Sequence, residues 1–276
     1  MSTWLITGCS SGLGHALAQA VLARGDRVAV TAREAARVRD LADAYPETAL
    51  ALSLDVTDPA RVSDAVQRTT RRFGNIDILV NNAGYGYRAA IEEGIDDDVQ
   101  HLFATNFFGA VTLIQAVLPG MRARRGGTIV NISSVGARLC PPGSGYYAAT
   151  KAALEAVTTS LRKEVEPLGI TAMIVEPGDF RTDFAGRSLT QSRRAIDAYA
   201  ETAGRRRKER DTTHGTQPGD PAKAAQAIIT AVESPEPPLM LVLGSDALRI
   251  FRASLDALSA DLDTWQHTSV STSFPS

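Results

Sequence analysis

The sequence predicts an α/β fold built on a doubly wound parallel β-sheet, and three observations carry that prediction. Short apolar runs alternate with stretches of helical apolar spacing, a glycine-rich turn follows directly on the first run, and small or polar residues recur where the runs end. Strands that alternate with helices pair in parallel through right-handed crossovers, and ligands then bind outside their carboxyl ends. About seven strands flanked by helices are expected, all within one domain spanning residues 1–276.

The first strand is the run from Trp4 to Thr7. Gly8-Cys9-Ser10-Ser11-Gly12-Leu13-Gly14 follows, then the helical spacing of HALAQAVLARG, closed by Gly25. Glycines let the main chain turn tightly and approach a ligand, and the helix N-terminus offers free N–H groups to a pyrophosphate. This is the start of a Rossmann-like unit, although the spacing is G-x-x-x-G-x-G rather than the commoner G-x-G-x-x-G.

Arg27 to Thr31 forms the second strand, with a helix to about Ala44. In such a unit the residue closing the second strand faces the adenosine ribose, where an acid suits the 2′-hydroxyl of NAD and an arginine the 2′-phosphate of NADP. Thr31 and Ala32 are not acidic and Arg33 follows at once, which favours NADP(H). Glu34 next door leaves NAD(H) open.

The third strand, Ala49 to Leu54, ends at Asp55 and Val56, and Asp58-Pro59 supplies an N-cap and first residue for the next helix. Asp55 suits either an adenine amino group or a turn bonded to its own main chain. Ile76 to Val80 is the fourth strand and ends in Asn81-Asn82-Ala83-Gly84. A long helical region from Asp96 to Arg124 is expected to break near Thr105-Asn106, because a buried Asn needs hydrogen-bond partners. The fifth strand, Gly127 to Ile132, leads to Ser133-Ser134, and Gly145 opens a helix to about Leu168. The sixth runs from Ile170 to Val175, the seventh from Leu239 to Leu243, and Ser245 to Leu262 is a last helix before a polar tail.

Tyr147 and Lys151 stand one helical turn apart, on one face of their helix. A phenol is a poor acid or base at neutral pH, but a fixed positive neighbour favours phenolate and draws its pKa toward the working range. The spacing alone is weak. Its weight comes from position, since Gly8, Asn82, Ser134 and Pro177-Gly178 each follow a strand.

Composition narrows the partners. Hydrophobic residues make up 44% and charged residues 22% of the chain, and the formal net charge of −2 provides no footprint for nucleic acid or an anionic membrane. Cys9 and Cys140 have no partners at metal-ligand or disulfide-framework spacing, so no metal is expected and a reducing cytoplasm fits. The opening MSTWLITG lacks a basic n-region and no run of about 18 apolar residues occurs, so neither a signal peptide nor a membrane span is expected.

In combination, TGCSSGLG, Asp55, NNAG, Asn106, Ser134, Tyr147-x-x-x-Lys151 and Pro177-Gly178-x-x-x-Thr182 resemble the short-chain dehydrogenase/reductase family in its single-domain form, from about Thr3 to Thr182. The resemblance implies an oxidoreductase that interconverts a ketone or aldehyde with an alcohol. It implies that Asn106, Ser134, Tyr147 and Lys151 are catalytic, with Ser134 polarising the carbonyl, Tyr147 exchanging the proton, Lys151 lowering the Tyr pKa and Asn106 positioning a water. The cofactor would meet Gly8, Ser10, Ser11, Gly12, Leu13 and Gly14 with its phosphates, Arg33 with its 2′-phosphate and Asp55 and Val56 with its adenine. Asn82, Ala83 and Gly84 would line its path, and Pro177, Gly178, Phe180 and Thr182, with Tyr147 and Lys151, would hold its nicotinamide end. A homodimer or homotetramer is implied as well. The rival is a dinucleotide-binding regulator without turnover; such proteins typically lack the Tyr or the Lys.

Beyond Thr182 the charged stretch 183–220 is expected to cover the substrate, and Arg205-Arg206-Arg207-Lys208 reads as a solvated helix face. Tyr85, Tyr87, Leu139, Cys140, Phe180 and Phe184 are candidates to face a hydrophobic substrate, beside Ser134 and Tyr147. His15, His101, His214 and His267 lack catalytic or metal partners in the sequence and read as structural.

Overall fold

A computed structural model describes residues 1–186, 188–208 and 215–274, so His214 lies outside the described residues. The strands are β1 (Thr3–Ile6), β2 (Arg27–Ala32), β3 (Ala49–Ser53), β4 (Ile78–Asn81), β5 (Gly86–Arg88), β6 (Gly127–Ile132), β7 (Ile170–Pro177), β8 (Leu189–Gln191) and β9 (Met240–Leu243). Seven of them form one parallel sheet in the order β3-β2-β1-β4-β6-β7-β9. Strand order reverses between β1 and β4, and a doubly wound sheet binds its ligand in the crevice at such a switch point.

The apolar runs lack polar alternation because both faces are covered. On one face Trp4, Ile6, Val28 and Val30 pack with Leu17 and Val21 of α1 (Gly12–Ala23) and with Ile228 of the helix Pro221–Val232. On the other, Leu5, Ala29, Leu79 and Ile129 pack with α3 (Pro59–Phe73), α5 (Gly109–Arg124) and α7 (Gly145–Val165) through Val62, Leu113 and Leu161. α2 (Arg39–Ala44) lies beside β3. Asp58 caps α3 as expected, accepting from Ala60 N at 2.9 Å and Arg61 N at 3.3 Å, with Pro59 as the first helical residue.

The expected break at Asn106 is a π-helical turn, Ala104–Phe108, between α4 (Asp96–Phe103) and α5. By length and composition Asp96–Arg124 is a helix apolar enough to cross a bilayer, although it holds no unbroken run of 18 apolar residues. In this fold Leu102, Leu113, Val117 and Met121 are buried within it. The final helix runs on to Val270 instead of ending at Leu262.

The stretch after Thr182 is docked. β8 pairs with β5 in a small parallel sheet of its own. The buried carboxylate of Glu93 anchors the stretch, accepting from Ile196 N at 2.8 Å and from the Arg207 guanidinium, while its own turn is closed by Ala90 N at 2.9 Å. Arg207 is therefore no solvated side chain: only 16% of it is exposed, since a buried carboxylate draws in the guanidinium. Arg205 keeps the expected exposed position, paired with Glu201.

Candidate active site

The glycine-rich turn is shaped by contacts only glycine permits. Gly8 and Gly12 have φ of 71° and 61°, and a Cβ on Gly14 would lie 2.3 Å from Asn82 Nδ2 and 2.6 Å from the Gly8 carbonyl oxygen. α1 starts here behind Ser11, whose side chain makes no cap bond, so the first N–H groups are left to a ligand. Asn82 stitches the turn to β4, with Nδ2 donating to the carbonyls of Thr7 at 2.8 Å and Gly8 at 3.1 Å. Thr7 Oγ1 in turn accepts from the N–H groups of Asn82 and Ala83, each at 2.9 Å.

At the adenosine end, Arg33 lines the cavity, whereas Glu34 turns outward to Arg37 at 3.5 Å. Asp55 takes the turn-forming role, with Oδ1 accepting from Thr57 N at 2.9 Å and Thr57 Oγ1 at 2.7 Å. Burial raises its pKa, but the two bonds from Thr57, with the charges of Arg33 and His101, outweigh that and leave it lowered.

Ser134 follows β6 and Tyr147 lies in the first turn of α7, and both face the same cavity. Ser134 Oγ accepts from Gly136 N at 3.0 Å. Lys151, one turn on, is buried, donates to the Ile132 carbonyl at 2.8 Å and lies 5.9 Å from the Tyr147 ring centroid. Burial pushes Tyr147 up to about 12, the neighbouring Ser134 hydroxyl pulling the other way, and brings Lys151 down to about 8 against the pull of Glu155. Lys151 is expected to lower the phenol pKa; in this state desolvation of the phenolate raises it.

Asn106 sits in the π turn, where it is buried and its side chain is committed to the chain. Oδ1 accepts from Tyr85 N at 3.0 Å, and Nδ2 donates to the Tyr85 carbonyl at 2.9 Å and to Thr150 Oγ1 at 3.2 Å. Both amide hydrogens are thereby used, so the side chain ties the turn after β4 to α7. A Cβ on Gly84 would come 3.1 Å from Asn106 Oδ1 and 3.5 Å from Lys151 Nζ, so Gly84 leaves these groups room.

These parts line one cavity of about 820 Å³, which runs from Gly8, Ser10, Ser11, Gly12 and Leu13 past Asn82, Ala83 and Gly84 to Ser134, Tyr147 and Lys151. Val56, Pro177, Gly178, Phe180, Thr182, Tyr85 and Phe184 line it too, and the Phe184 ring lies 5.7 Å from that of Tyr147. Gly14 acts from behind, by packing. Three expected substrate contacts are corrected. Leu139 and Cys140 end the short helix α6 (Gly136–Leu139), which turns them outward; Leu139 faces the C-terminal helix Ser245–Val270, and Cys140, with φ of 43°, points its thiol back at the Ala137 carbonyl. Tyr87 is buried in a satellite cluster with Ala89 and Leu102, because its neighbours Gly86 and Arg88 take the other face of β5.

Several residues escaped the sequence reading. His101 lines the cavity with its ring 6.0 Å from that of Tyr85, and Thr190, Gln191, Arg193 and Gln217 add a polar wall from the docked stretch. Behind Ser134, Glu155 accepts from Ser133 Oγ and, at 2.6 Å, from Arg138, which also reaches Glu176 at 3.2 Å. Burial first, and then the charge of Glu155, pushes the Glu176 carboxyl up. This charged cluster grips the Ser134 segment on both sides. Its only signal in the sequence is Glu155 one turn beyond Lys151. Asp246 closes the Pro177-Gly178 turn, accepting from Asp179 N at 2.8 Å.

A glycine turn at a helix N-terminus, an arginine at the second strand and a Ser-Tyr-Lys cluster in one cavity at the switch point define a dinucleotide-binding oxidoreductase of the α/β class. Residues 2–193 match the family model described as short chain dehydrogenase, and the chain belongs to the short-chain dehydrogenase/reductase family. It is 36% identical over 268 residues to the oxidoreductase BOA17 of Botryotinia fuckeliana, covering 97% of each chain. Among solved structures, a short-chain dehydrogenase from Streptomyces avermitilis aligns with a TM-score of 0.92 and 44% identity, over 99% of this chain and 100% of that one. A 3-ketoacyl-(acyl-carrier-protein) reductase from Brucella melitensis, complexed with NADH, aligns with a TM-score of 0.74 and 25% identity, over 88% of this chain and 96% of that one.

Proposed function

We propose that the protein is an NADP(H)-dependent reductase that interconverts a largely apolar ketone or aldehyde with its alcohol. The observation that carries this reading is the meeting of Ser134, Tyr147 and Lys151 on one wall of the cavity whose far end is the glycine turn. The residues present fit the cofactor: Gly8 packs too closely on Ala83 for any Cβ, the first N–H groups of α1 carry no side-chain cap where a pyrophosphate would lie, and Arg33 lines the cavity where a 2′-phosphate would lie. When bound, the nicotinamide supplies or accepts the hydride.

The chain's own residues do the rest. Ser134 donates a hydrogen bond that orients and polarises the substrate carbonyl, and Tyr147 gives its phenolic proton to the carbonyl oxygen, or takes it back in the oxidative direction. The Lys151 ammonium favours the phenolate that proton donation leaves. Phe184 and Tyr85 supply apolar walls, and the docked stretch shields the reacting centre from water.

The cofactor preference rests on Arg33 facing the cavity while Glu34 is held by Arg37. In Arg33→Ala, kcat/KM for NADPH is expected to fall about 10- to 100-fold, the worth of a hydrogen-bonded charge, with NADH unchanged. Equal use of both cofactors by the wild type, unaltered in Arg33→Ala, would contradict the preference while leaving the chemistry standing.

A further inference from the structure

Beyond Ser254 the C-terminal helix leaves the body, and every described residue from Leu255 onward is exposed. Along this helix Leu248, Phe251, Leu255, Leu258, Leu262 and Trp265 recur at alternating steps of three and four, the a/d spacing of a coiled coil. In the first turns the body covers part of this side: Ala247 is fully buried and the Arg138 guanidinium lies 5.3 Å from the Phe251 ring. Past the body the seam continues uncovered, with Leu255, Leu258, Leu262 and Trp265 at 54, 58, 73 and 61% exposure. A helix gains most of its stability by packing its apolar face, and among the described residues nothing packs here.

We infer that the seam pairs with the same seam of a second copy of this chain, antiparallel, about a two-fold axis passing between Asp256 and Ala257. Three features select this occupant and direction. Antiparallel coiled coils set a positions against d positions, and this axis pairs Leu248 with the partner's Trp265, Phe251 with the partner's Leu262 and Leu255 with the partner's Leu258, each pair repeated by symmetry. Charge is divided along the helix: Arg249 and Arg252 lie before the axis and Asp261 and Asp263 after it, while Asp256 stands at the axis and Asp246 is bonded to the main chain of Asp179. The antiparallel arrangement sets Arg249 and Arg252 beside the partner's Asp263, whereas a parallel one stacks Asp261 and Asp263 on their own copies. The partner's Trp265 also arrives over Leu248, which stands 45% exposed. An acidic, lysine-free arm is unlike the Lys- and Arg-rich helices that lie on membranes. The contact is separate from the cavity, α5 and α7.

The test is the mass of the full chain by light scattering and sedimentation velocity, wild type against Leu258→Asp/Leu262→Asp, with Ala260→Asp on the outer face as control. The double variant is expected to show half the wild-type mass with unchanged far-UV circular dichroism, and Ala260→Asp the wild-type mass. Orientation is read by mixing Leu248→Cys and Trp265→Cys chains in a Cys140→Ser background and oxidising: the expected disulfide joins one kind to the other. A monomeric wild type, a mass unmoved by the double variant, Leu248→Cys chains linked to each other, or wild-type protein captured by phosphatidylglycerol vesicles in place of self-association would each overturn the inference.

Discussion

The Lys151 ammonium donates to the Ile132 carbonyl at 2.8 Å and stands 5.9 Å from the ring centroid of Tyr147, both groups being carried by the first two turns of α7. Burial brings Lys151 from 10.5 down to about 8, against the charge of Glu155. The ammonium is therefore lost as pH rises through about 8, and kcat/KM for carbonyl reduction is expected to fall about tenfold per pH unit above that point. Glu155→Gln removes the upward pull, so its midpoint moves lower. A profile of NADPH oxidation that stays flat to pH 10 would contradict this. The same shift has a stability consequence. Between about 8 and 10.5 the unfolded chain holds the Lys151 proton that the folded chain has released, so this residue's contribution to stability rises with pH across that window.

Asn106 joins the main chain of Tyr85 to Thr150 through three hydrogen bonds. Asn106→Ala strands the Tyr85 N–H and carbonyl in a half-buried turn, at a cost of about 1–3 kcal/mol. Thermal unfolding is expected at a lower Tm, and kcat is expected to fall more than KM rises, because α7 and the turn after β4 lose their common register. An unchanged Tm and kcat would deny Asn106 this role.

Gly14 tests the cradle. A Cβ there meets Asn82 Nδ2 and the Gly8 carbonyl, neither of which moves without disturbing β1 and β4. Gly14→Ala is expected to destabilise the fold by about 1–3 kcal/mol and to weaken cofactor binding, measured by denaturant unfolding and by fluorescence titration with NADPH. Full stability with wild-type affinity would show that the turn tolerates the methyl group.

Glu93 is 1% exposed and holds both Arg207 and Ile196 N. Glu93→Gln keeps the shape but leaves the guanidinium without its charge partner. Hydrogen exchange across β8 and Ile196 is expected to quicken, and KM for the carbonyl substrate to rise. Exchange unchanged from the wild type would mean that the stretch is held by β5–β8 pairing alone.

The parts of the site legible in the sequence are those that strand ends carry with them. Gly8, Asn82, Ser134 and Pro177 each follow an apolar run, and a parallel sheet brings such positions to one edge. Seven strands and the interruption at Asn106 were readable for the same reason, since apolar period and one misplaced amide are local signals. What was not legible depends on partners far along the chain. Tyr87 turns into the core because Leu189–Gln191 pairs with Gly86–Arg88. Leu139 turns away because α6 rotates it toward the C-terminal helix. Arg207 and Glu93 meet across more than a hundred residues, and Glu155, Glu176 and Arg138 converge from three elements. No spacing rule announces such meetings.

The most direct test of the proposed chemistry is steady-state NADPH oxidation against ketones, aldehydes and quinones of graded size, comparing wild type with Tyr147→Phe. The account predicts turnover of an apolar carbonyl compound by the wild type. In Tyr147→Phe it predicts a loss of about 10²- to 10⁴-fold in kcat, the range of a general acid, with the Kd for NADPH unchanged. A Tyr147→Phe enzyme that reduces the same compound at the wild-type rate would contradict it.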